Sequence, residues 1–357
     1  MQTKLLPDLF QPERRPPPGA AACVFSSSAI SVETVHGCRD SRNPAPVEAG
    51  DLWHFGSAGK PMTASMITAL AATGAIRLDD RLDAAVPEAA NTAFAGVTLR
   101  ELLAHRSGLP TNPSQLRMIL YIALGGDAAR ASARMVESAL KRAPAFAPGT
   151  DFLYSNVGYG FAGLIASRRT GLSFEDLIRH HVTTPLSLRS LNFGLPPQDG
   201  TAPREHMARL RGKGWKRVTH GVRVVDDIPV LRPSGCLHGT VPDLAAFGQA
   251  HLRAATGLGE RGAEHLAMTH APCGPPPEEG KRWRYGLGWL SDETAEAGPR
   301  LWHAGSTGGC FALLLLLPRE NLGIALTANA FDPDWAMPES SMMARITSAL
   351  LERPIET

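Results

Sequence analysis

Apolar residues recur with two different spacings along the chain, which predicts strands near both ends and helices between them. The runs 20–25 and 30–35 are rich in β-forming residues and are joined by serines, which favours a hairpin. Further strand-like runs cover 285–290, 300–303, 311–317 and 323–328, and helical spacing covers 57–70, 129–142, 157–170, 241–252 and 337–351. One sheet built from both ends of the chain, with helices packed on it and a helical region inserted, is the simplest arrangement.

Local signals sharpen some of these boundaries. Proline is tolerated in the first turn of a helix and is damaging later, so Pro61 predicts that its helix begins close to Ser57. Thr98 followed three residues later by Glu101 is a capping box and predicts a helix start. Two short runs, 222–225 and 228–231, are expected to form a hairpin around Asp226-Asp227.

Composition excludes several classes of protein. The chain has 357 residues with 36 basic and 34 acidic side chains, so its net charge of +2 gives no electrostatic basis for nucleic-acid binding. The longest apolar run, Phe311–Leu317, is too short to cross a bilayer, and residues 1–25 lack a clear export signal, so we expect a cytoplasmic protein with no membrane span. Five scattered cysteines without C-x-x-C spacing predict no metal site.

The first candidate for chemistry is Ser57-Ala58-Gly59-Lys60. Residues i and i+3 share a helix face, so the amine of Lys60 can reach the hydroxyl of Ser57. A lysine made partly neutral by burial can accept the serine proton, and the helix start directs the Ser57 N–H toward a developing oxyanion. A second copy of the spacing, Ser138 to Lys141, falls late in a polar helix and is interpreted as surface.

Two more motifs carry chemical potential. Tyr154 and Asn156 form a Tyr-x-Asn motif: a phenol can relay protons where cations lower its pKa, and an amide can bind a substrate or the lysine. The alternative is a turn that merely buries a tyrosine. In His303-Ala304-Gly305-Ser306, we expect His303 to supply a positive or polarising group, Gly305 to let a substrate approach the backbone, and the Ser306 N–H to be a second oxyanion donor.

Taken together and in this order, Ser-x-x-Lys, Tyr-x-Asn and His-x-Gly resemble the motifs of the serine β-lactamase and penicillin-binding protein superfamily. The histidine variant resembles its class C-related esterases and D-aminopeptidases. Flanking segments 102–110, 148–159, 285–289 and 317–329 agree, so the resemblance covers roughly residues 19 to 350.

The resemblance implies an α+β fold, with an antiparallel sheet flanked by helices and an inserted mostly helical domain. We expect a loose lead-in at 1–18, a sheet domain at 19–74 and 236–357, and a helical domain at 75–235, with the active site in the cleft between the two domains. It also implies an acyl-enzyme on Ser57, proton transfer shared by Lys60 and Tyr154 with Tyr154 the stronger candidate for general base, and no metal or organic cofactor. The implied partner is a small ester, amide or lactam substrate, and the oligomeric state stays open.

One departure from the family pattern changes the expected substrate. Lactam-processing members have a lysine followed by threonine or serine where this chain has His303 and Ala304, so a hydroxyl that would anchor a carboxylate is missing. This favours neutral esters, with D-amino-acid amides or peptides and then β-lactams as alternatives, although Arg106 or Arg282 could restore a carboxylate contact. A catalytically silent binding protein on the same fold is the alternative of another class.

A nucleophile elbow at 304–308 is disfavoured. That motif needs a helix directly after its serine and a later histidine. A leucine run follows here, and no histidine occurs after His303.

Overall fold

The computed structural model describes residues 9–10, 16–114, 128–197, 199–204, 206–208, 215–217, 229–259, 262–295, 298–336 and 341–352. The strands are β1 (Gly19–Phe25), β2 (Ile30–Asp40), β3 (Asn43–Pro46), β4 (Trp53–His54), β5 (Asn192–Phe193), β6 (His206–Ala208), β7 (Trp215–Arg217), β8 (Leu237–Gly239), β9 (Arg284–Tyr285), β10 (Leu290–Asp292), β11 (Arg300–Ser306), β12 (Phe311–Leu317), β13 (Leu322–Ala328) and β14 (Ala330–Phe331). The α-helices are α1 (Lys60–Ala72), α2 (Leu82–Ala85), α3 (Leu99–Leu103), α4 (Ala128–Leu140), α5 (Asn156–Thr170), α6 (Phe174–Ile178), α7 (Val241–Ala255), α8 (Glu264–Ala267) and α9 (Ser341–Leu351).

An eight-stranded sheet in the order β3-β2-β1-β13-β12-β11-β10-β9 forms the centre of the fold. Its neighbouring strands pair antiparallel. The first strand pairs with β13, with Ala20 opposite Ala328, so both ends of the chain contribute to one sheet. The predicted antiparallel sheet flanked by helices is therefore confirmed.

Strand β12 explains why its sequence shows no alternation of polar and apolar residues. Leu314 and Leu316 face one apolar cluster with α1 and α7, while Leu313 and Leu315 face a second cluster with α9. Every residue of the strand is buried. A strand covered on both faces is a continuous apolar run, as the leucines here are.

Helix α1 begins where Pro61 predicts. A single 3-10 turn, Gly56–Gly59, leads into the helix, and Pro61 stands in its first turn. Apolar side chains such as Met62, Met66 and Leu70 are buried in the apolar cluster that also contains Leu314 and Leu316 of β12. This packing fixes the start of the helix beside the end of β11.

The middle of the chain is mainly helical, and several of its helices are capped as the sequence suggests. The predicted capping box at Thr98 is present at the start of α3. Helix α5 is capped by the Ser155 hydroxyl at its start and by Gly171, with φ 75°, at its end. The predicted helices at 129–142, 157–170 and 241–252 correspond to α4, α5 and α7.

Four expectations need correction. The segment 228–231 forms no strand over its described part, because Pro229–Ser234 is a 3-10 helix; residues 222–225 lie outside the described residues. The run 285–290 is two strand ends joined by a turn in which Gly288 has φ 82°. Short strands β5, β6 and β7, which the sequence does not predict, occur in the part expected to be mostly helical, and β6 pairs with β14. Leu9 and Phe10, expected in a loose lead-in, are each 2% exposed in the apolar cluster under α9.

Among the described residues, no helix combines the length and apolar character that crossing a membrane requires. Within the same ranges, no group of histidine, cysteine and acidic side chains has the arrangement of a metal site.

Candidate active site

Ser57 and Lys60 meet at the junction of the 3-10 turn and helix α1. The hydroxyl Oγ of Ser57 is 3.0 Å from Nζ of Lys60. Because Ser57 precedes the helix by one turn, its side chain lies over the end of the lysine side chain. The i to i+3 spacing in the sequence thus places the two groups in direct hydrogen-bond contact.

Lys60 is entirely buried, and its amine is held by oxygen atoms. Besides Ser57, Nζ contacts Oδ1 of Asn156 at 2.7 Å and the backbone carbonyl of Ser234 at 2.5 Å. Burial lowers the pKa of Lys60 well below 10.5, with a weak opposing effect from Cys236. A neutral amine has two N–H donors and one lone pair. With the amide and carbonyl oxygens accepting two N–H bonds, the lone pair of the neutral form would face the Ser57 hydroxyl, whereas the protonated form would donate to all three oxygens.

Tyr154 lies in the loop before α5, and its ring packs beside the amine. The ring centroid is 4.7 Å from Nζ of Lys60. Burial raises the pKa of Tyr154 above its usual 10, and a hydrogen bond with Ser57 lowers it in part. The phenol is therefore protonated at neutral pH, in contact with the hydroxyl that Lys60 also binds.

Asn156 is the first residue of α5, and its amide bridges two partners. Oδ1 faces Lys60, while Nδ2 donates to Oδ1 of Asn112 at 2.8 Å. The second bond fixes the orientation of the amide, so that its oxygen points to the amine. Asn112 was not identified from the sequence, because a lone asparagine after a proline-containing turn carries no distinguishing pattern.

His303 departs from the role expected of it. It is 2% exposed, with Nδ1 2.7 Å from the carbonyl of Ala304 and Nε2 2.9 Å from the hydroxyl of Tyr285. A carbonyl can only accept, so the proton is on Nδ1 and Nε2 accepts from Tyr285. Burial, followed by repulsion from Lys60, lowers the pKa of His303 to about 3. The expected positive group is a neutral ring whose nitrogens are both bonded within the protein.

Gly305 also has a different neighbour from the one expected. A Cβ there would lie 2.1 Å from the carbonyl oxygen of Phe55, 2.5 Å from the nitrogen of Ala58 and 2.6 Å from that of Ser57. The glycine therefore admits the backbone of the serine turn against β11, and it also lines a cavity beside Ser57. In the reverse direction, Gly56 has φ 51°, and a Cβ on it would lie 2.5 Å from the nitrogen of Ser306. The two amides proposed as oxyanion donors come from segments in direct contact.

Two cavities of different character adjoin Ser57. One, of about 370 Å³, is mainly aromatic and apolar and is lined by Phe152, Tyr154, Trp283, Tyr285, Leu290, Trp302, His303, Ala304, Gly305 and Ser306. The other, of about 100 Å³, is more polar and is lined by His54, Gly56, Asn112, Asn156, Leu231, Ser234, Gly235, Cys236, Ser306 and Thr307. Ser57 lines both, so a scissile bond at its hydroxyl would have one substituent in each.

The second Ser-x-x-Lys copy lacks this environment. The side chain of Lys141 is 69% exposed and pairs with Glu137 at 2.5 Å. Ser138 is buried in α4, with 7% exposure, rather than on the surface. Because this lysine is exposed and paired with a glutamate, the spacing alone does not build the buried lysine environment found at Ser57.

The fold, and a serine in contact with a buried lysine, are those of a serine hydrolase, and the comparisons with known proteins agree. Residues 11–345 match the family model for beta-lactamase. The chain therefore belongs to the beta-lactamase family and is a serine hydrolase.

Individual relatives carry the names of two kinds of protein. Penicillin-binding protein 4 of Amycolatopsis lactamdurans is 27% identical over 328 residues, which cover 87% of this chain and 81% of that protein. A beta-lactamase of Escherichia coli strain K12 is 29% identical over 188 residues, 52% of this chain and 46% of its own length. A solved class C beta-lactamase superposes with a TM-score of 0.77 over 98% of this chain and 96% of that chain, at 19% identity.

Proposed function

We propose that this protein hydrolyses small uncharged esters with a bulky apolar group, through a covalent acyl-enzyme on Ser57. The observation that carries the proposal is the aromatic cavity beside the serine. Its lining contains a neutral His303 and an alanine at 304, and none of its described lining residues is a lysine or an arginine. A carboxylate placed there would lose its hydration without gaining a charged partner, whereas an apolar group would be favoured.

The protonation states inferred for Lys60 and Tyr154 support a specific route for acylation. Neutral Lys60 takes the proton of Ser57 as Oγ attacks the ester carbonyl, and the developing oxyanion binds the backbone N–H groups of Ser57 and Ser306. Tyr154, as a neutral phenol, donates its proton to the leaving alkoxide and recovers one from Lys60. Water then hydrolyses the acyl-enzyme. This assigns the proton-accepting role in the first step to Lys60.

The site draws on both of the domains that we infer. The serine turn, α1 and β11 belong to the sheet domain, residues 19–74 and 236–357. Tyr154, Asn156 and Ser234 belong to the helical domain, residues 75–235. Because Lys60 is bonded to the second domain through two of its three contacts, we infer that the cleft between the domains holds the substrate.

A pair of matched esters tests the substrate class. A butyrate aryl ester and the hemisuccinate ester of the same phenol have acyl chains of similar length and differ mainly by one carboxylate. We expect kcat/KM for the hemisuccinate to be at least about tenfold lower, because the neutral cavity does not compensate the charge. Equal rates, or a faster hemisuccinate, would contradict the proposed substrate class.

The chain offers its own control for the nucleophile. Ser57→Ala should abolish turnover and acyl-enzyme formation in intact-protein mass spectra, whereas Ser138→Ala, in the second Ser-x-x-Lys, should retain both. Turnover that survives Ser57→Ala would exclude the acyl-enzyme proposed here.

Amides and lactams are the second candidate class, because relatives carry the names penicillin-binding protein and beta-lactamase. The same mass measurement after incubation with a penicillin and a D-amino-acid amide identifies which acyl group is retained. Rapid cephalosporin turnover would favour this class over esters.

A further inference from the structure

His105 occupies a backbone position that normally belongs to glycine. Helix α3 ends in a Schellman motif: the N–H of Arg106 bonds the carbonyl of Glu101, and the N–H of His105 bonds that of Leu102. His105 has φ 60°, the left-handed conformation that a side chain disfavours. A non-glycine residue at this position indicates that its side chain is needed there.

His105 accepts two hydrogen bonds, one from the residue before Tyr154 and one from the residue after it. The N–H of Leu153 donates to the His105 carbonyl at 2.9 Å, and the N–H of Ser155 donates to His105 Nδ1 at 3.0 Å. One residue thus fixes the backbone immediately before and immediately after the tyrosine. Because Nδ1 accepts, the imidazole carries its proton on Nε2.

The ring of His105 also packs against the tyrosine ring. Their centroids are 4.3 Å apart, and the Tyr285 ring is 4.6 Å from His105 on another side. His105 is fully buried, and within the described residues its Nε2–H has no hydrogen-bond acceptor. The N–H is therefore left among aromatic rings, where its interactions are weak. A buried N–H without an acceptor does not stabilise the folded protein, so stability does not explain a histidine at this position. The acceptor Nδ1 and the ring do.

The segment after His105 continues the same support. Ser155 Oγ donates to the carbonyl of Pro110 at 2.7 Å, and the N–H of Asn156 donates to that of Thr111 at 2.8 Å. The loop after α3 therefore holds the 153–156 segment at both of its ends. Among these described supports, His105 alone both bonds the backbone on each side of the tyrosine and packs against its ring.

We propose that His105 is a positioning residue that holds the Tyr154 hydroxyl at Ser57, through its two backbone contacts and its ring. The inference rests on the proposed function of Tyr154 as a proton relay. His105 does not touch the reacting atoms, and it acts through the tyrosine alone.

Two substitutions separate the contacts. His105→Gly suits the left-handed backbone and removes the whole side chain. His105→Asn tolerates the same backbone and places an amide oxygen where Nδ1 accepts. We expect His105→Gly to lower kcat per active site by about 10²-fold with little change in KM, as for a reacting group displaced by about 1 Å. His105→Asn should recover about tenfold of this loss.

Active-site titration with a small fluorophosphonate distinguishes positioning from folding. A purely structural role would reduce the fraction of labelled protein and leave kcat per labelled site unchanged. The control is His251→Asn, a substitution of another fully buried histidine, distant from the tyrosine loop in the chain. It should lower stability and leave kcat per labelled site within about threefold of wild type.

A double-mutant cycle completes the test. Because His105 acts through the tyrosine, adding His105→Gly or His105→Asn to Tyr154→Phe should change kcat less than about threefold. Full additivity in that background, or wild-type kcat per site in His105→Gly, would overturn the inference. Labelling of the Ser57→Ala variant would instead overturn the proposed function, so the two failures can be told apart.

Discussion

Substitution of Gly305 by alanine tests whether the close contact between β11 and the serine turn controls reactivity. A Cβ there would lie 2.1 Å, 2.5 Å and 2.6 Å from three backbone atoms of residues 55, 58 and 57, where ordinary contact begins at about 3.4 Å. Backbone atoms cannot swing aside as a flexible side chain does. The strand and the turn must therefore separate by about 1 Å to accommodate the methyl group.

The size of the effect follows from that displacement. A misplacement of about 1 Å at a catalytic group lowers the rate by about 10²-fold, and overpacking costs about 1–3 kcal/mol of unfolding free energy. Gly305 is not among the positive-φ residues, so backbone strain does not contribute. We expect Gly305→Ala to lower kcat/KM by about 10²-fold while the protein remains folded.

The assay should separate a displaced nucleophile from a blocked substrate. If the methyl group only obstructed substrate, ester KM would rise and labelling of Ser57 by a small fluorophosphonate would be unaffected. Displacement of the turn slows both reactions. Gly50→Ala is the matched control, since a Cβ there meets nothing within 4 Å. If labelling and kcat/KM of Gly305→Ala stay within about threefold of wild type, the close contact between β11 and the serine turn does not control reactivity.

Two further predictions concern protons. Asn156→Asp would place a carboxylate at the position that is 2.7 Å from Lys60 Nζ, which favours the charged amine. The rising limb of kcat/KM against pH should therefore move to higher pH by about one to three units. A limb that stays in place would show that Lys60 is not the titrating group. His251 and His270 are hydrogen-bonded at 2.9 Å, and burial lowers the pKa of both, that of His270 to about 4. The unfolded chain, with histidine pKa near 6.5, therefore binds more protons in acid, so unfolding free energy should fall as pH drops from about 7 toward 4. His270→Gln should reduce that slope by close to one proton in denaturant titrations at several pH values; an unchanged slope would exclude His270 as its source.

The fold could be predicted largely because its signals are local. The leucine run of β12 is apolar throughout because both faces are covered, and Pro61 limits where α1 can start. The strand predicted at 228–231 is wrong because it too rests on a local signal. Its β-forming residues fit a strand, but the segment is part of the 3-10 helix Pro229–Ser234. Two carbonyls of that helix accept hydrogen bonds from α1: the Ser234 carbonyl from Lys60, and the Pro233 carbonyl from Thr63. Tertiary bonds decided that conformation, and the sequence pattern does not contain them.

The sequence predicts which residues form the candidate site better than it predicts their protonation states. The i to i+3 spacing identifies which lysine can reach Ser57, because helix geometry is regular. Burial, followed by repulsion from Lys60, lowers the pKa of His303, and neither effect can be inferred from the motif; the motif therefore suggests a cation where the fold makes a neutral ring. His105 was visible only as part of a flanking segment, since its left-handed backbone arises from how α3 ends.

The three buried bases of the site restrict the charge that it can carry at rest. Lys60 lowers the pKa values of both His105 and His303, and His303 lowers that of His105, beyond the larger effect of burial. Bases that repel one another's protons in a low-dielectric site share at most one positive charge, and burial favours none. In the acylation route proposed above, the resting site is neutral, and charge develops when Ser57 gives its proton to Lys60 and the carbonyl oxygen becomes an oxyanion. An ammonium bonded to Oδ1 of Asn156 and to the Ser234 carbonyl is already solvated by fixed dipoles, so this charge separation requires little reorganisation. An anionic substrate would bind to the resting site without a cation to meet it and would favour the protonated, unreactive lysine. The neutrality of His303 and the reactivity proposed for Lys60 thus both favour the uncharged ester of the proposed function.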